Sequence, residues 1–149
     1  MSTNNEQILP ILYRQVLEED KPFLFNSWLK SFRQGTLAAN VDNSIYYTNH
    51  HKLVEKILSK SKTIICCNSD DPSIIYGYVT YQIVDGQFVL HYLYIKNIYR
   101  KLGLGRKLLA ETKHDFNVLG CYTHQTSVGV AKEEKYNLVY HPYILFTYL

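Results

Sequence analysis

A chain of 149 residues, 46% hydrophobic and 19% charged, has the composition of one globular domain, which excludes a disordered or fibrous class. No run approaches the ~20 apolar residues that a bilayer-crossing helix needs, and the polar start from Met1 to Gln7 lacks the profile of a secretory signal. A cytoplasmic protein with no membrane partner is therefore expected. The net charge of +3 is mild and, apart from a cluster at 100–107, the basic residues are dispersed, which argues against a nucleic-acid partner.

Leu12 to Val16 alternates apolar and polar residues like a strand, and Glu18-Glu19-Asp20 with Pro22 reads as the start of a helix, with the acidic groups at its positive end. Leu24, Trp28, Leu29 and Phe32 then recur at helical spacing, and Gly35 is the expected stop. Trp28 reads as core, with a substrate-pocket wall as the alternative. A second helix is predicted from Asn43 or Ser44 to about Ser59, with Tyr46, His50, Leu53, Val54, Ile57 and Leu58 as its apolar stripe. After it the period changes to that of strands. Thr63–Cys67, Ile74–Val84 and Gln87–Ile95, separated by Asp70-Asp71-Pro72 and Asp85-Gly86, form an antiparallel meander.

The adjacent Cys66 and Cys67 fall in one of these strands, so their side chains point to opposite faces and read as buried thiols. No C-x-x-C pair occurs and His50-His51 is adjacent, so no metal site is expected. Leu104 to about Phe116 reads as a helix with Lys107 and Glu111 as an exposed pair. Gly120 breaks that pattern and Cys121 to Ser127 is strand-like. Ala131 to Tyr136 follows as one or two helical turns, and Leu138 to Leu149 as a last buried strand, able to close its own sheet or to pair with a second copy in a homodimer. No repeat or linker divides the chain, so residues 1–149 read as one domain.

The most informative stretch is Arg100-Lys101-Leu102-Gly103-Leu104-Gly105-Arg106. An apolar strand leads in and an amphipathic helix leads out. A pyrophosphate needs converging backbone N–H groups, which Gly103 and Gly105 allow by close approach, and the helix start adds free N–H groups and positive potential. Arg100, Lys101 and Arg106 supply cations. The spacing fits neither a P-loop nor the G-x-G-x-x-G of a dinucleotide fold, whose third glycine position is Leu108 here. An ordinary strand-helix turn with a solvated basic edge is the plainer alternative.

The stretch from Leu93 to Leu109 resembles the central motif of the GCN5-related N-acetyltransferases (GNAT), R/Q-x-x-G-x-G/A after a strand. The element order from Leu12 to Phe116 agrees with that family. More faintly, Phe25 to Ser31 and His141-Pro142-Tyr143 resemble small acetyltransferase-like proteins encoded by phages. The resemblance implies an α/β (α+β) GNAT fold, a mixed, mostly antiparallel sheet of about six to seven strands with helices on both faces. It also implies acetyl-CoA as cosubstrate, bound by the 100–106 loop and by backbone groups of Leu93, Tyr94 and Ile95 where their strand splays from its neighbour.

His91, on the same strand face as Leu93 and Ile95, is the candidate general base, supported by a histidine at the matching position in serotonin-type members; a packed, satisfied histidine is the alternative. Glu18, Glu19 and Asp20 are lesser candidates. By resemblance Tyr136 would protonate the leaving thiolate, although the family's Asn-x-x-Ala spacing is absent. His124 reads as structural. The function implied is acetyl transfer to a primary amine of a small molecule or protein by direct attack in a ternary complex. The competing function is a catalytically weak interaction module, such as a phage protein acting on a host component.

Overall fold

Apolar side chains on both faces of successive strands build the centre of this computed structural model, which describes residues 9–34 and 36–149. Among the described residues six strands lie in sequence order: β1 (Leu12–Gln15), β2 (Lys62–Cys67), β3 (Ile75–Val84), β4 (Gln87–Ile95), β5 (Gly120–Tyr122) and β6 (Leu138–Tyr140). The pairs from β1 to β4 are antiparallel, whereas β4–β5 and β5–β6 are parallel. Helices α1 (Lys21–Arg33) and α2 (Asn43–Lys60) cover one face. Helix α3 (Leu104–Glu111) covers the other, α4 (Ser127–Tyr136) links β5 to β6, and the short α5 (Ile144–Thr147) closes the chain.

Strand parity divides the core in two. Ile65 and Cys67 of β2 pack with Leu24, Trp28, Val54 and Ile57 of the α1–α2 layer, while Ile64 and Cys66 pack with Leu104, Leu108 and Leu109 of α3. The two adjacent thiols thus sit on opposite faces, both buried and free. Trp28 is core, fully buried and stacked on Tyr92 at 4.7 Å. The close edge-to-edge pairing of β3 and β4 depends on Gly77, where a Cβ would lie 2.3 Å from the Tyr94 carbonyl oxygen.

The helix starts follow local chemistry. Asp42 caps α2 by accepting from the Ser44 backbone N–H at 3.1 Å. Asp20 instead joins two elements. It accepts two hydrogen bonds from Arg14, at 2.6 and 3.0 Å, and one from the Leu17 N–H at 2.7 Å, which ties β1 to the start of α1. Burial raises the Asp20 carboxyl, and these donors outweigh it, holding the group below its ordinary range. With its oxygens so engaged, Asp20 has no part in proton transfer.

Four expectations change. Helix α3 ends at Glu111 rather than near Phe116, because the chain turns through Lys113 at φ 64°; Phe116 still packs on Phe88 and Tyr136. Glu111 lies 3.8 Å from Lys113, and no pair with Lys107 forms. The strand expected over Cys121 to Ser127 stops at Tyr122, since the Thr126 hydroxyl accepts from Gly129 N–H at 3.0 Å and starts α4 well before Ala131. The final segment is a strand only to Tyr140. Pro142 ends the ladder, and α5 buries Ile144 while Phe146 stays 82% exposed. The stop expected at Gly35 lies outside the described residues; α1 ends at Arg33.

Candidate active site

Strands β4 and β5 pair only through Val89–Cys121 and Leu90–Tyr122, closed by Thr123 N–H donating to the Leu90 carbonyl at 3.1 Å. Beyond that point β4 continues to Ile95 and, among the described residues, no strand lies beside it on this side. Lys96 N–H donates to the Tyr76 carbonyl at 2.8 Å, and Tyr94 lies opposite Tyr78, so the backbone groups of Tyr94 and Lys96 face β3. By alternation those of Leu93 and Ile95 turn into the gap. The Ile95 carbonyl there accepts from Arg100 Nε at 2.9 Å.

The gap opens into a cleft of about 660 Å³. It brings together Leu93, Tyr94, Ile95, Arg100, Lys101, Gly103, Leu104, Gly105 and Arg106, and also His91 and Tyr136. Two expected residues differ: the Leu102 side chain is 53% exposed and does not line the cleft, and Tyr94, whose backbone is taken up by β3, meets the cleft with its side chain rather than with the backbone groups expected of it. A 3-10 turn at Asn97–Tyr99 delivers the chain to the loop, where Lys101 at φ 68° and Gly103 at φ 77° both adopt the left-handed conformation. Gly103 is the N-cap of α3, and its carbonyl accepts the Lys107 N–H at 3.2 Å. The first-turn N–H groups of Leu104, Gly105 and Arg106 have no partner within the helix and carry the positive end of its dipole. At Gly105 a Cβ would meet only Leu93 Cδ2, at 3.6 Å, so the protein itself tolerates a side chain there.

Helix α4 adds cations that the sequence did not place in the site. Lys132 and Lys135 line the cleft, as do Thr126, Ser127, Val128 and Gly129 at the helix start. The signal was present in Thr126 followed three residues later by Gly129, a capped helix start immediately after a strand. Tyr136 ends the same helix, half-buried, with its ring 5.4 Å from Phe116 and Lys135 Nζ 5.4 Å from its own centroid. Tyr122, on the cleft wall, donates to Glu133 and accepts from Gln125 at 3.4 Å; burial, reinforced by Glu133, pushes its hydroxyl up to about 12.

Behind the cleft runs a chain of hydrogen bonds through four parts of the fold. Gln82 Oε1 meets His91 Nε2 at 2.8 Å, His91 Nδ1 meets Thr123 Oγ1 at 2.8 Å, Thr123 Oγ1 meets His124 Nδ1 at 3.1 Å, and His124 Nε2 meets His50 Nε2 at 2.9 Å. Burial pushes His50 and His91 down to about 4. His124 falls well below its ordinary value, by burial first and then by the two neighbouring rings. Each ring is therefore neutral at pH 7, with one donor and one acceptor nitrogen. Because the Gln82 carbonyl can only accept, the network assigns every proton in turn: His91 Nε2–H to Gln82, Thr123 O–H to His91, His124 Nδ1–H to Thr123, and His50 Nε2–H to His124.

This geometry revises the role expected of His91. The ring is 1% exposed and both nitrogens are engaged, so no lone pair is free to take a proton from an incoming amine. His124, read as structural from the sequence, is the link that joins His91 to α2. Among the described residues no three His, Cys, Asp or Glu side chains converge as a metal set, and no helix is long and apolar enough to cross a membrane.

No family model and no curated protein sequence matches the chain. Solved structures do match. A possible acetyltransferase from Clostridium difficile 630 superposes with a TM-score of 0.56 at 18% identity, covering 89% of this chain and 91% of that one. The PaiA N-acetyltransferase from Thermoplasma acidophilum, in complex with coenzyme A, gives 0.56 at 20% identity over 84% and 87%. A proposed acetyl transferase from Pyrococcus furiosus gives 0.57 at 17% over 92% and 89%. The chain spans 64% and 62% of the length of two other matched GNAT structures, from Desulfovibrio desulfuricans and Staphylococcus aureus. The likeness is one of fold: the chain has the α+β GNAT fold that its loop motif led us to expect.

Proposed function

We propose that the β4–β5 cleft binds acetyl-CoA and that the protein transfers the acetyl group to a primary amine by direct attack in a ternary complex. The observation that carries this is the convergence, in one cleft, of a splayed strand edge, the unpartnered first-turn N–H groups of α3, and five cations: Arg100, Lys101, Arg106, Lys132 and Lys135. Backbone N–H groups at Leu104, Gly105 and Arg106 would hold the pyrophosphate, and room at Gly105 lets it approach closely. Backbone groups of Leu93 and Ile95 would hold the pantetheine arm, as a strand edge holds an added strand. The thioester supplies an activated acetyl carbon with a thiolate leaving group.

Around it the chain's own groups act as follows. The Leu93 N–H, turned into the gap, donates to the acetyl oxygen as negative charge develops there. Tyr136, on the cleft wall, gives its phenolic proton to the departing sulfur. His91 is a positioning residue: with Thr123 and His124 it fixes a neutral polar wall, and the amine loses its proton to water in the open cleft. Holding amine and thioester together supplies much of the rate. The test is release of free thiol from acetyl-CoA in the presence of a panel of amines and proteins. Acceptor-dependent release supports the proposal; tight coenzyme A binding without acceptor-dependent release would leave a binding module instead.

A further inference from the structure

The cleft is unevenly charged. Its five cations belong to the loop, α3 and α4, and among the described residues no Asp or Glu lines it. An acceptor ammonium therefore meets no carboxylate to hold it, and a polyamine is repelled by the cations around the loop. Where Ser31 and Gln34 form the wall, the lining is neutral. The Ser31 hydroxyl is bonded to Tyr92 Oη at 2.6 Å, and the rings of Tyr92 and His124 lie 5.9 Å apart.

Gln34 is shared with a second, shallow basin of about 460 Å³, whose other walls are Lys30, Arg33, Ala39 and Tyr47. Arg33 is anchored there by hydrogen bonds and aromatic rings. It donates to the Val41 carbonyl at 2.7 Å and to Asn43 Oδ1, and its guanidinium carbon lies 5.3 and 5.7 Å from the rings of Tyr46 and Tyr47. Among the described residues neither Lys30 nor Arg33 forms an ion pair. Asp42 lies within electrostatic reach of Arg33, but its carboxylate accepts from Ser44 to cap α2 and does not pair with the guanidinium. An anchored guanidinium beside a mobile ammonium suits a carboxylate or phosphate.

We infer that the acceptor is an amine that also carries an anionic group, its nitrogen in the neutral end of the cleft beside Ser31 and Tyr92 and its carboxylate or phosphate on Lys30 and Arg33. This rests on the acetyltransferase reading above. In the reaction the amine nitrogen bonds to the acetyl carbon and the C–S bond breaks. The amine proton goes to water, and the thiolate takes the proton of Tyr136, which is restored from solvent.

The test compares initial rates of thiol release with a set of amino acids, 2-aminoethyl phosphate, propylamine and spermidine. The expected result is a kcat/KM for the best acidic amine at least about tenfold above that for propylamine, with spermidine lowest. Preference between the amino acids and the phosphate identifies the anion. Lys30→Glu should raise the KM for that acceptor about tenfold while leaving coenzyme A affinity unchanged, and Lys30→Arg should restore it. Spermidine or propylamine performing as well as the acidic amines would overturn this inference alone, as would an unchanged KM in Lys30→Glu. Turnover of no amine at all would sink the acetyltransferase reading and this inference with it.

Discussion

Acidification is the perturbation for which the buried histidine chain makes its largest prediction. His50, His91 and His124 are neutral in the folded state, with His50 and His91 at about 4 and His124 well below 6.5, whereas the same rings in the unfolded chain titrate near 6.5. The folded values are depressed, so the unfolded state binds more protons between these limits. Stability is fully present above about pH 6.5 and is lost as pH falls toward about 4. From about pH 6.5 to about pH 5 the loss is one and a half pH units at ~1.4 kcal/mol, or about 2 kcal/mol per ring. Three coupled rings amount to about 4–6 kcal/mol, a large part of the ~5–15 kcal/mol that holds a domain together. The chain's single tryptophan, Trp28, is stacked on Tyr92 and 5.2 Å from His124, so its fluorescence follows this region directly. Urea unfolding at about pH 7.5 and about pH 5 should show the free energy falling by several kcal/mol with little change in slope. A free energy constant to within about 0.5 kcal/mol would refute the neutral-chain assignment.

Other predictions follow from single contacts. His91→Ala should lower acetyl transfer by the same factor at pH 7 and pH 9, measured as initial rates; a loss concentrated at pH 7 would restore His91 as a proton acceptor. Tyr136→Phe should reduce kcat about a hundredfold with the KM for acetyl-CoA unchanged, and an unchanged kcat would remove the tyrosine from sulfur protonation. Asp20→Asn leaves Arg14 without its charge partner and should cost about 3 kcal/mol in urea unfolding; a cost below about 0.5 kcal/mol would show the pair to be solvated.

What was legible in the sequence was local. The period change after Ser59, the turns at Asp70-Asp71-Pro72 and Asp85-Gly86, and the opposed faces of Cys66 and Cys67 all depend on neighbours within a few residues. The loop from Arg100 to Arg106 was legible for the same reason, since a positive-φ cap and the helix it starts are contiguous. The partners of His91 were not. Gln82, Thr123, His124 and His50 are scattered along the chain, and nothing in the spacing of a lone histidine on a strand tells that both its nitrogens are taken. Likewise, Lys132 and Lys135 reach the cleft only because α4 starts at Ser127, and the aromatic C-terminus reads as a strand until Pro142 breaks it.

The central claim is that the loop and the start of α3 bind the pyrophosphate, and calorimetric titration with coenzyme A of the native chain and of Gly105→Glu tests it most directly. The substitution separates binding from folding: Gly105 has room for a side chain, and an acid in the first turn suits the helix dipole, unlike Gly103 with its φ of 77°. The native chain should bind with a dissociation constant of about 1–100 μM, and Gly105→Glu should weaken binding at least about a hundredfold at an unchanged melting temperature. Equal binding by the two, or no heat from the native chain up to millimolar coenzyme A, would contradict it.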